Sequence, residues 1–345
     1  MPISPIQQTG AVRGHFFGTV TANEWLCREH YRLTVEVRDF PRSHPGQFAQ
    51  ILCAPDAQTA AVPADAKSLD SPVPPWTELS WQPAQPPPHF HDRFFTGAAA
   101  YLRRPFSIAD RRDRGATATT THVCELDFIY RVIGKGTRGL ESMRPGQRLS
   151  LLGPLGRGFD VSPEIGPAIL VGGGVGIPPM IYLAKVLHEK KIAAMALAGA
   201  QRRDLLPLKI SPGNGPPAPI PTPSLTVDEF ARYGFPSMIS TDDGSLGFKG
   251  YVTGMLENIL TAFSTDQRKR AVIFCCGPTP MMRATAAVAA KFAVRCQVSL
   301  EQPMACGMGT CQSCIIKYQP PGQKQWVHKL TCTDGPVFRA EDILW

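Results

Sequence analysis

The chain has no run that approaches the roughly 20 consecutive apolar residues needed to span a bilayer as a helix. Its beginning, MPISPIQQTG, lacks the basic region and the apolar run of a secretory signal peptide. It also contains no internal repeat, which argues against a solenoid or a propeller. These absences lead us to expect a soluble, intracellular protein in the cytoplasm with no membrane partner.

Positive charge is in modest excess but is not concentrated in one segment. Lys and Arg number 36 against 28 Asp and Glu, so the formal charge is +8. Short clusters such as Arg111, Arg112 and Arg114 have no interleaved aromatic residues on which bases could stack. We therefore expect a solvated surface and no nucleic-acid binding.

The order of strand and helix patterns predicts a multidomain β plus α/β protein, and 345 residues suffice for two or three domains. Up to about residue 160, short runs such as YRLTVEVRDF and GQFAQILC indicate a small β-barrel. From about residue 165, strands alternate with Gly-rich turns and helices, which favours a parallel sheet. We expect a β-barrel domain over 1–160, an α/β domain over 161–295 and a cysteine-rich domain over 296–345.

Two Pro-rich segments interrupt these patterns. Residues 54–99 and 206–224 offer no periodic apolar face, so we interpret them as surface insertions, one in the barrel and one in the α/β domain.

Cysteine spacing carries the most specific chemical signal. Six of the ten cysteines occur in apolar surroundings, where a small buried hydrophobe is the default interpretation. The other four form CxxxxCxxC followed by a cysteine eighteen residues later: Cys306, Cys311, Cys314 and Cys332. A [2Fe–2S] cluster needs four thiolates, and this opening is of the plant-ferredoxin type. Structural zinc is the alternative, although zinc sites usually pair two CxxC knuckles.

A Gly-rich turn, LVGGGVGIPP, joins a strand to a helix whose free amides can face a phosphate. The turn falls short of GxGxxG, so tight packing is the alternative. A later strand ends in CCGP at the same expected sheet edge, where dinucleotides bind. The candidate NAD(H) contacts are Gly172, Gly173, Gly174, Gly176, Cys276, Gly277 and Pro278. For Cys276, a place in the buried core is an equal alternative.

Two barrel segments indicate a flavin. RRPFSI, residues 103–108, places an arginine and a hydroxyl three residues apart on an extended segment, and IYRVIGKGTRGL ends a strand in a turn that can approach phosphate. A physical argument supports this assignment. Nicotinamides exchange a hydride and a [2Fe–2S] centre takes single electrons, so a carrier able to do both has to stand between them, and flavin is the obvious candidate.

The ordered motifs resemble one family, the electron-transfer subunit of dihydroorotate dehydrogenase, within the ferredoxin–NADP reductase-like group. The motifs are RRPFSI, YRVIGKGT, GPLGRGF, LVGGGVGIPP, STDDGSLGFKG, CGPTPMM, CGMGTC and TCTDGPVF. The resemblance implies an FAD-binding barrel, an NAD-binding α/β domain and a [2Fe–2S] domain ligated by the four C-terminal cysteines. It implies FAD contacts at Arg104, Pro105, Phe106, Ser107, Ile129, Tyr130, Arg131, Gly136 and Thr137.

The resemblance also implies a partner and a reaction. Members of the family pass electrons from the FMN of a separate catalytic subunit, which oxidises dihydroorotate, through cluster and FAD to NAD⁺ in pyrimidine biosynthesis. Two subunits of each kind would form a heterotetramer.

Departures from the family pattern leave two points open. The two insertions and the long step to Cys332 keep the partner in question, so a related NAD(P)H-dependent reductase subunit, serving sulfide or ferredoxin chemistry, is the alternative function. Asp242 and Asp243 can bind ribose hydroxyls and favour NAD over NADP, or can form a simple acidic turn. No general acid or base is identified.

Overall fold

The structure is a computed structural model that describes residues 13–54, 102–114, 122–162, 165–211 and 223–345. Most of the two Pro-rich segments lies outside the described residues, so their interpretation as surface insertions stays a prediction. Among the helices of the described segments, none combines the length and the hydropathy that a membrane crossing requires.

The N-terminal part is a seven-stranded antiparallel sheet with the strand order β4-β3-β7-β1-β2-β6-β5. The strands are β1 (Gly14–Cys27), β2 (His30–Arg38), β3 (Phe48–Ile51), β4 (Arg104–Ser107), β5 (Asp110–Arg114), β6 (Val123–Arg131) and β7 (Arg148–Leu155). The helix α1 (Lys135–Glu141) follows β6. Alternate residues of β2, such as Leu33, Val35 and Val37, enter the barrel core because side chains alternate across a strand.

The central part is a second seven-stranded sheet with the order β11-β10-β9-β8-β12-β13-β16. Its strands are β8 (Ala168–Gly173), β9 (Ala194–Ala200), β10 (Ser237–Thr241), β11 (Phe248–Lys249), β12 (Val272–Cys276), β13 (Arg295–Ser299) and β16 (Val337–Arg339). All of them pair in parallel except β16, which is antiparallel to β13. The helices are α2 (Ile177–Glu189), α3 (Asp228–Ala231), α4 (Val252–Ala262), α5 (Thr265–Arg270) and α6 (Thr279–Lys291).

Both faces of the parallel sheet are covered, as its continuous apolar strands require. Ala168 and Leu170 of β8 share a core with α2. Ile169 and Val171, which point to the other face, pack with α4 and α6. Strand β8 is central, and the chain continues from it to β9 on one side and later to β12 on the other. This reversal opens a crevice at the carboxyl ends of the strands.

The C-terminal part carries the cysteine loop and the hairpin β14 (Ile315–Tyr318) and β15 (Val327–Leu330). It packs on the barrel through an apolar cluster of Phe48 and Leu155 with Cys314 and Cys332. The expected multidomain β plus α/β architecture is confirmed. The domain limits stay a prediction. Strand β13 crosses the expected boundary at 296, and β16, from the expected cysteine-rich domain, pairs with the second sheet.

The turn between β8 and α2 generates a stability prediction. A Cβ atom on Gly176 would lie 2.2 Å from the carbonyl oxygen of Cys276, and backbone atoms cannot move aside cheaply. Gly176→Ala should therefore lower the free energy of unfolding by about 1–3 kcal/mol, as overpacking does. Urea denaturation followed by circular dichroism measures the change. The matched control is Gly134→Ala, whose Cβ would meet no atom within 4 Å; equal destabilisation by both substitutions would contradict the packing argument.

Candidate functional site

A cavity of about 640 Å³ lies in the crevice at the carboxyl ends of the parallel strands. Its size is within the range of small-molecule sites. The sheet contributes Gly173, Gly199 and Asp242 to its wall, and the barrel contributes His30 and Arg131. The cavity is therefore placed where both domains can contact one ligand.

The Gly-rich turn divides into two glycines that line this cavity and two that pack behind it. Gly173 and Gly174 are in the wall, and a Cβ on Gly174, whose φ is +53°, would meet no atom within 4 Å. A Cβ on Gly172 would instead lie 3.0 Å from the Cα of Ile177, and one on Gly176 would meet the backbone of Cys276. Gly173 and Gly174 thus line the cavity, whereas Gly172 and Gly176 allow the strand and the helix to pack closely; dinucleotide contacts at all four glycines remain a proposal.

The CCGP segment shows a similar division. Pro278 and Met281 line the cavity, and Gly277 lies beside Met281. Cys276 is buried in the core shared with α2, and burial raises the pKa of its thiol. A contact between Cys276 and nicotinamide stays a proposal, because the described cavity wall does not include this side chain.

The two acidic residues after β10 differ in their surroundings. Asp242 lines the cavity, and burial together with the charge of Asp243 raises its pKa. Asp243 Oδ1 instead accepts hydrogen bonds from Ser245 N at 2.9 Å and Ser245 Oγ at 2.6 Å, and its carboxylate lies 3.7 Å from Arg202. Asp243 therefore stabilises the turn, which leaves Asp242 as the carboxylate able to bind a ribose.

Sequence reasoning missed three titratable groups in the cavity wall, of which Tyr251 is exposed and directly precedes α4. Glu301 follows β13, and burial raises the pKa of its carboxyl group. His30, at the start of β2, has Nδ1 2.8 Å from the carbonyl oxygen of Arg28, while its buried Nε2 has no hydrogen-bond partner among the described residues. The position of Glu301, two residues after the end of β13, was a usable signal, but His30 is brought here only by tertiary packing.

The segments expected to bind FAD converge on one side of the barrel. A Cβ on Gly136 of α1 would lie 3.4 Å from Arg104 Cγ of β4. The rings of Phe106 on β4 and Tyr130 on β6 meet edge to face, with centroids 6.2 Å apart. Strands far apart in sequence thus come together with α1, as one flavin site requires.

The side chains of these segments have different orientations. Tyr130 is buried in the barrel and its hydroxyl donates to Asn23 Oδ1 at 3.1 Å. Ile129 packs in the core of the α/β domain, and Arg131 donates to Glu29 Oε2 at 2.8 Å while lining the cavity. The hydroxyl of Thr137 accepts from Ile133 N at 2.9 Å. Pro105 and Ser107 are partly exposed on β4. FAD contacts at all these residues remain proposals.

The four C-terminal cysteines come together as two pairs. Cys311 N donates to Cys306 Sγ at 3.4 Å, and Cys332 N donates to Cys314 Sγ at the same distance. No three His, Cys, Asp or Glu side chains in the described segments converge as ligands of one ion. Two pairs of thiols suit a cluster in which each of two irons takes two protein ligands.

Cys311 and Cys332, one cysteine from each pair, differ in their electrostatics. Cys311 is exposed, and hydrogen bonds from Ser313, with further ones involving Cys306, lower its pKa to about 6. Burial, followed by the neighbouring Cys314, raises the pKa of Cys332 to about 12. The loop also turns backbone amides toward sulfur, because Met308 N donates to Cys306 Sγ at 3.4 Å and both Gly307 and Gly309 have positive φ. The lowered pKa of Cys311 and the amide donors around Cys306 fit thiolates held by an iron–sulfur cluster, whereas Cys332 would lose its proton on binding iron.

Comparison with known proteins gives consistent matches. Residues 301–344 match the family model of the iron–sulfur cluster binding domain of dihydroorotate dehydrogenase B. The electron transfer subunit of dihydroorotate dehydrogenase B (NAD(+)) from Caldanaerobacter subterraneus subsp. tengcongensis is 33% identical over 326 residues, which cover 94% of this chain and 97% of the relative. The corresponding subunit from Listeria monocytogenes is 36% identical, over 70% of this chain and 81% of the relative.

A solved structure extends the likeness to the fold. The NADH-dependent reduced ferredoxin–NADP oxidoreductase aligns with a TM-score of 0.63 at 24% identity, covering 95% of this chain and 90% of its own. At this identity the match concerns the fold alone.

The contrast between Asp242 and Asp243 predicts cofactor selectivity. Asp242→Asn removes the charge that would repel a 2′-phosphate, so the ratio of kcat/KM for NADPH to that for NADH should rise about tenfold, or ~1.4 kcal/mol. Steady-state oxidation of each nucleotide with an artificial acceptor measures this ratio. Asp243→Asn, the same chemical change outside the cavity wall, should alter it much less; an equal response to the two substitutions would refute a ribose contact specific to Asp242.

Proposed function

The chain belongs to the family of electron-transfer subunits of dihydroorotate dehydrogenase B, and we propose that it passes electrons from an FMN-containing catalytic subunit to NAD⁺. Its own cofactors are FAD and a [2Fe–2S] cluster. The reaction oxidises dihydroorotate to orotate on the partner and serves pyrimidine biosynthesis. The observation that carries the proposal is that a four-thiol site and a dinucleotide cavity both border the same barrel.

When bound, the cluster and the flavin allow single electrons to be exchanged for a hydride. The chain's own residues position these groups. Cys306 and Cys311 would supply one pair of ligands to the cluster, and Cys314 and Cys332 would supply the other. Burial of the second pair against Phe48 keeps water away from that side of the site.

The cavity residues orient the nicotinamide dinucleotide. Gly173 and Gly174 let the backbone approach the ligand closely, and Asp242 is placed for a ribose. Arg131 and Glu301 enter the same cavity from the barrel and from the end of β13. We assign the chain a role in positioning rather than in proton transfer, since effective catalysis between two carriers depends on their orientation.

We further propose a heterotetramer of two catalytic and two electron-transfer subunits in the cytoplasm. All ten cysteines are free thiols, which a reducing compartment maintains. Four of them have to be reduced so that they can bind the cluster as thiolates.

Reconstitution with the partner tests the function. The chain should co-purify with an FMN-containing dihydroorotate dehydrogenase subunit of the same organism, and the complex should reduce NAD⁺ in the presence of dihydroorotate. The catalytic subunit alone and this chain alone serve as controls and should not catalyse that reaction. A stable complex with a different flavoprotein, and no dihydroorotate-dependent NAD⁺ reduction, would establish the related reductase function instead.

A ligand substitution separates the two halves of the electron path. Cys314→Ser should remove the cluster and reduce dihydroorotate-dependent NAD⁺ reduction by at least about a hundredfold, because a buried thiolate ligand is lost. NADH oxidation by an artificial acceptor of flavin electrons should persist. Iron and acid-labile sulfide analysis accompanies both assays.

The matched control for this substitution is Cys27→Ser, which changes a half-buried cysteine of β1 outside the thiol site. It should leave iron content and both activities near those of the unmodified protein. Full activity of the complex after cluster loss in Cys314→Ser would contradict the proposed electron path.

A further inference from the structure

Gln50 lies on the strand of the barrel that faces the cysteine loop. Ala49 and Ile51 of β3 point into the barrel core. Because side chains alternate along a strand, Phe48 and Gln50 share the opposite face. Phe48 packs there against Cys314 and Cys332, so Gln50 is directed toward the same domain.

The side-chain amide of Gln50 is buried without a partner. Its exposed fraction is 0%, and neither Nε2 nor Oε1 has a hydrogen bond among the described residues. A buried amide without a hydrogen-bond partner is destabilising, because the loss of its contacts with water is not compensated. Gln47, three residues earlier, is also buried but is fully bonded, since Oε1 accepts from His44 N and Nε2 donates to the Gly156 carbonyl oxygen.

The amide is held against the loop that carries the first cluster ligand. A Cβ on Gly307 would lie 2.7 Å from Gln50 Cγ and 2.9 Å from Gln50 Nε2, and Gly307 has a φ of +72°. Gly307 directly follows Cys306, whose sulfur already accepts from the amides of Met308 and Cys311. A side-chain donor at this point adds to the set of donors around the sulfurs.

The same strand also leads to the flavin segment. Gln50 pairs with Pro105 of β4 in the sheet, within the segment proposed to contact FAD. Gln50 therefore lies between the cluster loop and the flavin-binding strand. Its side chain is on the face shared with Phe48, which packs on the cysteines.

We propose that Gln50 Nε2 donates a hydrogen bond to a sulfur of the [2Fe–2S] cluster and thereby raises the reduction potential of the cluster. The inference rests on the proposed function, since it requires the cluster in this chain. Hydrogen bonds to cluster sulfurs favour the reduced, more negative form and so raise the potential. Such a bond also gives Gln50 Nε2 a partner that the described residues do not supply.

Redox titration of the complete protein tests this contact. Gln50→Leu and Gln50→Met both remove the donor, and Met preserves the length of the side chain. Each should lower the cluster potential by about 59 mV, which is a tenfold change in a one-electron equilibrium constant. Electron paramagnetic resonance of the reduced cluster follows the titration, and flavin absorbance in the same samples should give an unchanged flavin potential.

Gln47→Leu is the matched control. It breaks two hydrogen bonds outside the thiol site, so it should lower stability without moving the cluster potential. Unchanged cluster potentials in the Gln50 variants, or a shift confined to the flavin, would overturn the inference.

If both Gln50 variants misfold, a measurement on the unmodified sequence can still test the hydrogen bond between Gln50 and the cluster. Glutamine labelled with ¹⁵N at the side-chain amide should give a ¹⁵N coupling in pulsed electron paramagnetic resonance of the reduced cluster, and its absence would overturn the inference. Failure of the proposed function has a different outcome: the unmodified protein would show no [2Fe–2S] spectrum at all.

Discussion

The contact between β3 of the barrel and the cysteine loop determines how the rest of the molecule can work. Phe48 and Leu155 of the barrel share an apolar cluster with Cys314 and Cys332. Strand β3 is also the neighbour of β4, which carries the segment proposed for FAD. A single pair of strands therefore joins the cysteine loop to the segment proposed for FAD.

A second set of contacts orients the barrel relative to the parallel sheet. Ile129 of β6 packs into the core formed by β8 and α2. Nearby, the hydroxyl of Tyr182 on α2 donates to the carbonyl oxygen of Ser43 at 2.7 Å, and Lys185 lies 3.1 Å from Asp110. The cavity is consequently walled by two domains that are packed together. Hydride transfer depends on such alignment more than on acid–base groups.

Local sequence patterns made much of this architecture predictable, whereas features that depend on contacts between distant segments could not be predicted from the sequence. The spacing of Cys306, Cys311 and Cys314 reflects a single loop, so it can be interpreted without the fold. The four glycines of the turn into α2 look alike in sequence, yet only Gly173 and Gly174 reach the cavity, because the close packing of the other two depends on the tertiary fold. The different positions of the two aspartates after β10 also depend on the folded turn, because Asp243 is bound by Ser245 within the turn and Asp242 lines the cavity.

Gln50 shows why a buried polar group is informative where a motif is absent. A glutamine in a strand that reads FAQI would be expected on a solvated face, but here both faces of β3 are buried. Gln47 is buried at no such cost because the backbone satisfies it. Gln50 has no comparable partner in the described chain, and it touches the loop beside Cys306. Burying the Gln50 amide without a partner beside the cysteine loop is best explained by a bound group that accepts a hydrogen bond from Gln50 Nε2.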